Sequence, residues 1–151
     1  MFVPSAQRLL YRAAQLSFGL YLLALGFIVL WPRHIDDNSG GLWLAEFLAH
    51  SHEAGWLPSW FTYSTVEWLS NVILFVPGGF LGTLLIRRRY RSYVPLVGFL
   101  VTCTIECIQL FLPQRTSSFL DILANTLGAC LGWVFAVVTL KYSSYRLRRR
   151  A

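Results

Sequence analysis

The chain has 151 residues, of which 56% are hydrophobic and 13% charged, against roughly 25% charged in an average soluble domain, and this balance excludes a water-soluble globular fold. Its net charge of +6 does not point to nucleic acid. Every basic residue except Arg33 and Arg115 falls in one of three clusters beside an apolar run: Arg8 and Arg12; Arg87–Arg89 with Arg91; Lys141, Arg146 and Arg148–Arg150, which is the pattern of a topology signal.

The first apolar run covers residues 13–31. It follows two arginines as a secretory leader would, but its length and the absence of a small-x-small site in "VLWPRHIDD" favour a retained span. In residues 32–66, "GLWLAEFLAH" spaces Leu42, Trp43, Phe47 and Leu48 on one face of a short helix, and "GWLPSWFTY" adds further aromatic residues. Tryptophan and tyrosine favour the membrane–water interface, so a short interfacial helix is expected here. His34, His50 and His52 lie near Asp36, Asp37 and Glu53, but their spacing suits no metal site; neither a metal nor another cofactor is expected.

The second span, residues 67–86, stops at "RRRYR"; the third occupies 93–112, and the fourth runs from 119 to 140 before "KYSSYRLRRR". Each is long enough to cross a hydrocarbon core of about 30 Å. The amino end, the connection between spans two and three, and the carboxyl tail carry the basic clusters, so all three are expected in the cytoplasm. The reading is an all-α membrane protein: one domain over residues 1–151, a four-helix transmembrane bundle with cytoplasmic N- and C-termini. Cys103, Cys107 and Cys130 all lie in apolar runs and read as small core residues.

Direction turns scattered polar residues into a place. Counted from the outer ends of their spans at the helical rise, Asn71 lies roughly 6 Å deep, Glu106 roughly 9 Å, Gln109 roughly 5 Å, Asp121 about 3 Å and Asn125 about 9 Å. Glu106 with Gln109, and Asp121 with Asn125, share a helix face. Gly78-x-x-x-Gly82 and Gly128-x-x-x-Gly132 are small-residue patterns that let helices approach closely. An ionised carboxylate costs up to about 2.5–3.5 kcal/mol at a span's centre and less near the interface, so Glu106 needs a partner. Arg115, in the turn "PQRTSS", has the reach to meet Glu106 or Asp121 in a bidentate pair. Ser117, Ser118 or Asp121 is also placed to cap the fourth helix, and such hydrogen bonds by themselves would pin helices together.

These segments resemble the VanZ-like family of small membrane proteins. The resemblance rests on "NVILFVPGGFLG" at 71–82, "IECIQLFLPQRTSSFLDILANTLGACLG" at 105–132 and the arginine-rich connection between them. The ordered set Asn71, Pro77, Gly79, Glu106, Gln109, Arg115, Asp121, Asn125 and Gly128 carries it. The resemblance implies a multi-span helical protein with a namesake linked to lowered susceptibility to the glycopeptide teicoplanin, and a place in the bacterial cytoplasmic membrane is expected. Where the family often has an acid three positions after the arginine, this chain has Ser118.

Two functions of different class fit these residues, and they leave open whether the protein is an enzyme. In the first, a polar outer-leaflet pocket binds a lipid-linked cell-wall precursor, a lipid head group or a glycopeptide, with Arg115 on phosphate or carboxylate and Asn71, Gln109 and Asn125 hydrogen-bonding the head group. In the second, an intramembrane hydrolase or transferase acts on a lipid head group, with Glu106 as general acid or base, Arg115 stabilising negative charge and Asp121 orienting a water. A proton-coupled carrier built on Glu106 ranks below both, since four spans are few for one unless copies assemble into a homo-oligomer. Membrane lipids are the expected partners.

Overall fold

The computed structural model describes residues 5–30, 39–112 and 118–150, and these form α-helices with one 3₁₀ turn and no strand. In chain order they are α1 (Ser5–Leu30), α2 (Ser39–Glu53), α3 (Tyr63–Leu85), the 3₁₀ turn Arg88–Tyr93, α4 (Val94–Gln109) and α5 (Phe119–Arg150). Four helical stretches are long and apolar enough to cross a membrane: Arg8–Val29, Tyr63–Leu85, Arg88–Gln109 and Phe119–Ser143. Even 22 residues span about 33 Å at the helical rise.

Local chemistry explains where these helices depart from the expected spans. The second starts at Tyr63 rather than 67, because Thr62 takes an extended backbone and its N–H donates to Thr65 Oγ1 at 3.3 Å, the return half of a capping box. The third ends at Gln109 rather than 112; Leu110–Leu112 tighten into a turn whose N–H groups donate to Glu106, Ile108 and Gln109 carbonyls. Pro113 follows in the sequence, and a residue before proline is driven from helical backbone. The fourth starts at Phe119 as expected but continues through the basic tail.

The expected helix in the first long connection is α2, which buries Leu48 and Ser51 while Trp43 and Phe47 stack outside it, ring centroids 5.5 Å apart. Gly55, at φ +72°, ends it: its N–H donates to His52 and that of Trp56 to Ser51, a Schellman closure that needs glycine's left-handed backbone. The His52 ring meets the Phe61 carbonyl at 3.1 Å. Among the described residues, no three His, Cys, Asp or Glu side chains gather as metal ligands. His34, Asp36 and Asp37 lie outside the described residues.

The bundle is organised around α3 and α5, which run parallel and nearly touch backbone to backbone. A Cβ at Gly128 would collide with the Val72 carbonyl, one at Gly132 with that of Val76, and one at Gly79 with that of Ala129. The Gly128-x-x-x-Gly132 pattern therefore acts as expected, whereas Gly78-x-x-x-Gly82 does not: Gly78 makes room for the Tyr21 ring of α1, Gly82 faces open space, and Gly79 makes the close approach. Antiparallel to this pair, α4 sets Gly98 beside Ala129 and Thr102 beside Asn125. On the other side of α3, α1 is held by the Tyr21 hydroxyl donating to the Leu74 carbonyl at 3.1 Å and by a cluster of Leu25, Phe75 and Ile105. Leu25 is the one buried side chain among the described residues of α1.

This alternation places Arg8, Arg12, Arg87–Arg89, Arg91 and Lys141 at one end of the bundle, the basic end, with the end of α1, the start of α3, the end of α4 and the start of α5 at the other. The cysteines are free; Cys103 and Cys130 are half-buried as small core residues, but Cys107 is exposed on the bundle surface, because Thr102, Ile105, Glu106 and Gln109 take the buried face of α4.

Candidate functional site

Opposite the basic end, residues of all five α-helices line a cavity of about 490 Å³. Its wall includes Glu67 and Asn71 of α3, Glu106 and Gln109 of α4, and Ser118, Asp121 and Asn125 at the start of α5. The polar residues singled out in the sequence are thus brought together from three helices, apart from Arg115, which lies outside the described residues with Gln114, Thr116 and Ser117.

Each of these side chains is held across a helix boundary. Asn71 Nδ2 donates to Asp121 Oδ1 at 2.9 Å, linking α3 to the first turn of α5. Glu106 Oε2 accepts the Ser118 backbone N–H at 2.9 Å. Both carboxylates therefore sit at the start of α5, where unpaired N–H groups and the helix dipole favour negative charge. The cap itself is Ser118, whose Oγ accepts the Leu120 N–H at 3.2 Å, while Asp121 bonds across the bundle to Asn71. At the other end of a helix, Gln109 Nε2 donates to the Val29 carbonyl at 2.7 Å, satisfying one of the carbonyls that α1 leaves without an intrahelical partner.

The deepest contact joins Asn125 Nδ2 to Thr102 Oγ1 at 2.9 Å. Glu106 and Asn125 are each 4% exposed and Gln109 7%, while Thr102 is fully enclosed. Asn125 Oδ1 is buried at the cavity wall without a hydrogen-bond partner. An orphaned acceptor in such surroundings costs about 1–3 kcal/mol.

Several contributors escape a reading that treats polar residues as isolated signals. Thr102 precedes Glu106 by one helical turn and Glu67 precedes Asn71 by the same step, so the i, i+4 rule carried a usable signal for both. Ser64, Ser70, Tyr63 and Trp68 also line the cavity, as expected of the start of a span lying beside a polar layer. The Val29 carbonyl carried no signal, since a backbone acceptor is chosen by where a helix ends.

The VanZ/LLP1 family profile matches residues 18–140, well over half of the chain, and the matched stretch contains every cavity residue named above. No curated protein matches the chain, and no solved structure does. With four membrane-length apolar helices and this match, the chain is an integral membrane protein that belongs to the VanZ/LLP1 family.

Proposed function

We propose that the protein binds the polar head of a membrane-anchored molecule in this cavity: a lipid-linked cell-wall precursor, a lipid head group or a lipid-bearing glycopeptide of the teicoplanin type. The observation that carries the reading is the cavity itself, about 490 Å³ and walled by Asn71, Glu106, Gln109, Asp121 and Asn125. Its size falls within the roughly 300–1,000 Å³ of small-molecule sites, and the unpartnered Asn125 Oδ1 supplies an acceptor for a hydroxyl or amine. Arg115 stands three positions before Ser118 in sequence and is assigned the phosphate or carboxylate of the same ligand. By the positive-inside rule the basic end is cytoplasmic, which puts the cavity in the outer leaflet of a bacterial cytoplasmic membrane, with α2 in the interface beside it.

Purified protein is expected to bind labelled lipid-linked precursor or glycopeptide saturably, with at least tenfold weaker binding for Arg115→Ala and for Asn125→Ala. Unsaturable binding, or binding equal in all three proteins, would overturn the reading. A second reading, a hydrolase or transferase of lipid head groups, is favoured by Glu106 and Asp121 sharing one cavity, with Glu106 as acid or base and Arg115 stabilising negative charge. It predicts turnover of a labelled lipid by wild type and none by Glu106→Gln; equal turnover in both sinks that role.

A further inference from the structure

A second cavity, about 390 Å³ and separate in character, lies between α1, α3 and α4 in the half of the bundle nearer the basic end. Its walls are almost wholly apolar: Phe18 and Leu22 on α1, Gly82 and Leu85 on α3, Val97 and Val101 on α4. The cluster of Leu25, Phe75 and Ile105 packs between it and the polar cavity, so the two do not share a ligand's head group. Among the described residues, nothing fills the groove. A Cβ at Gly82 would meet no heavy atom within 4 Å, and Val97 is 52% exposed.

The groove lies within membrane-length apolar helices, so the occupant must be as apolar as lipid tails over that depth. Its mouth adds a sign of charge. Ile86 lines the groove and Arg87 follows it; Val94 lines it and Arg91 precedes it by one short turn. On α1, Arg12 stands about 9 Å before Phe18 along the helix axis. Arg91 Nε is buried without a hydrogen-bond partner among the described residues. Arg89 is otherwise engaged, its guanidinium 4.5 Å from the Tyr90 ring centroid. An apolar slot whose lining residues Ile86 and Val94 stand one and three positions from Arg87 and Arg91 matches a ligand with an acyl chain and an anionic phosphate.

We propose that this groove is a binding site for one anionic phospholipid of the leaflet at the basic end, with an acyl chain against Gly82 and Val97 and its phosphate on Arg91 and Arg87. The proposal is independent of what the polar cavity holds. The site would join α1 to α3 and α4 where protein contacts alone leave a gap, so the lipid acts as part of the bundle's packing.

The test is native mass spectrometry of the full chain released from vesicles of equal phosphatidylglycerol and phosphatidylcholine. Wild type is expected to retain one phosphatidylglycerol. Gly82→Leu, which fills the groove, is expected to cut that occupancy at least fivefold, and Arg91→Gln to bring the preference for phosphatidylglycerol close to one. Val97→Phe blocks the groove from its exposed rim and gives the same reading if Gly82→Leu fails to fold. Retention of phosphatidylglycerol by groove-filled protein, or equal retention of both lipids by wild type, would overturn the proposal. So would a wild-type dimer that Gly82→Leu converts to monomer, since the groove would then belong to a second copy.

Discussion

Replacing Glu106 with glutamine leaves an amide oxygen where the carboxylate accepts the Ser118 N–H, so the start of α5 keeps its partner and only charge is lost. The melting temperature in detergent is expected to change little. Glu106→Leu removes the acceptor as well and should cost about 1–3 kcal/mol, the range for a buried group left unsatisfied. The Asn71–Asp121 pair is expected to show a coupling of about 0.6 kcal/mol, and no more than about 1.7 kcal/mol, in a double-alanine cycle read by unfolding in detergent, as for hydrogen bonds between membrane helices. At this scale the sequence was partly legible: face-sharing and depth brought Asn71, Glu106, Gln109, Asp121 and Asn125 to one layer. What it did not carry was who bonds whom. The pairing of Asn125 with Thr102, and of Gln109 with a carbonyl at the end of α1, depends on rotations about helix axes that spacing leaves free.

Helix contacts decide which glycines matter. Gly128→Val drives a side chain into the Val72 carbonyl, a backbone atom that cannot turn aside, and is expected to destabilise by about 1–3 kcal/mol or to part α3 from α5. Gly82→Ala meets open space and should stabilise α3 by up to about 1 kcal/mol, the helix-propensity difference; thermal unfolding of the two variants under one condition checks both. Hydrophobic length and basic flanks made four helices readable, because a bilayer admits few other solutions. Ends were less readable: they depend on caps such as Thr62 and on Pro113, which follows α4 in sequence. The glycines of α3 show the same limit. Gly78, Gly79 and Gly82 look alike in sequence, yet Gly79 alone meets α5, Gly78 receives Tyr21, and Gly82 opens on the apolar groove.

Among the described residues, polar chemistry and positive charge occupy opposite ends, a division set by chain alternation through α1, α3, α4 and α5. That division makes orientation testable. In a cysteine-free background, a cysteine at exposed Trp60 is expected to react with a membrane-impermeant thiol reagent on intact cells, and one at exposed Tyr90 only after the cells are opened; the reverse pattern would invert the bundle and move the cavity to the cytoplasmic leaflet. Whether the polar cavity is a head-group site is decided by an experimental structure of the protein with its native lipids retained. Density is expected for a polar head between Asn125 and Glu106, donating to Asn125 Oδ1 and continuous with an apolar anchor. A cavity holding only water, or closed by the protein's own side chains, would contradict a head-group site.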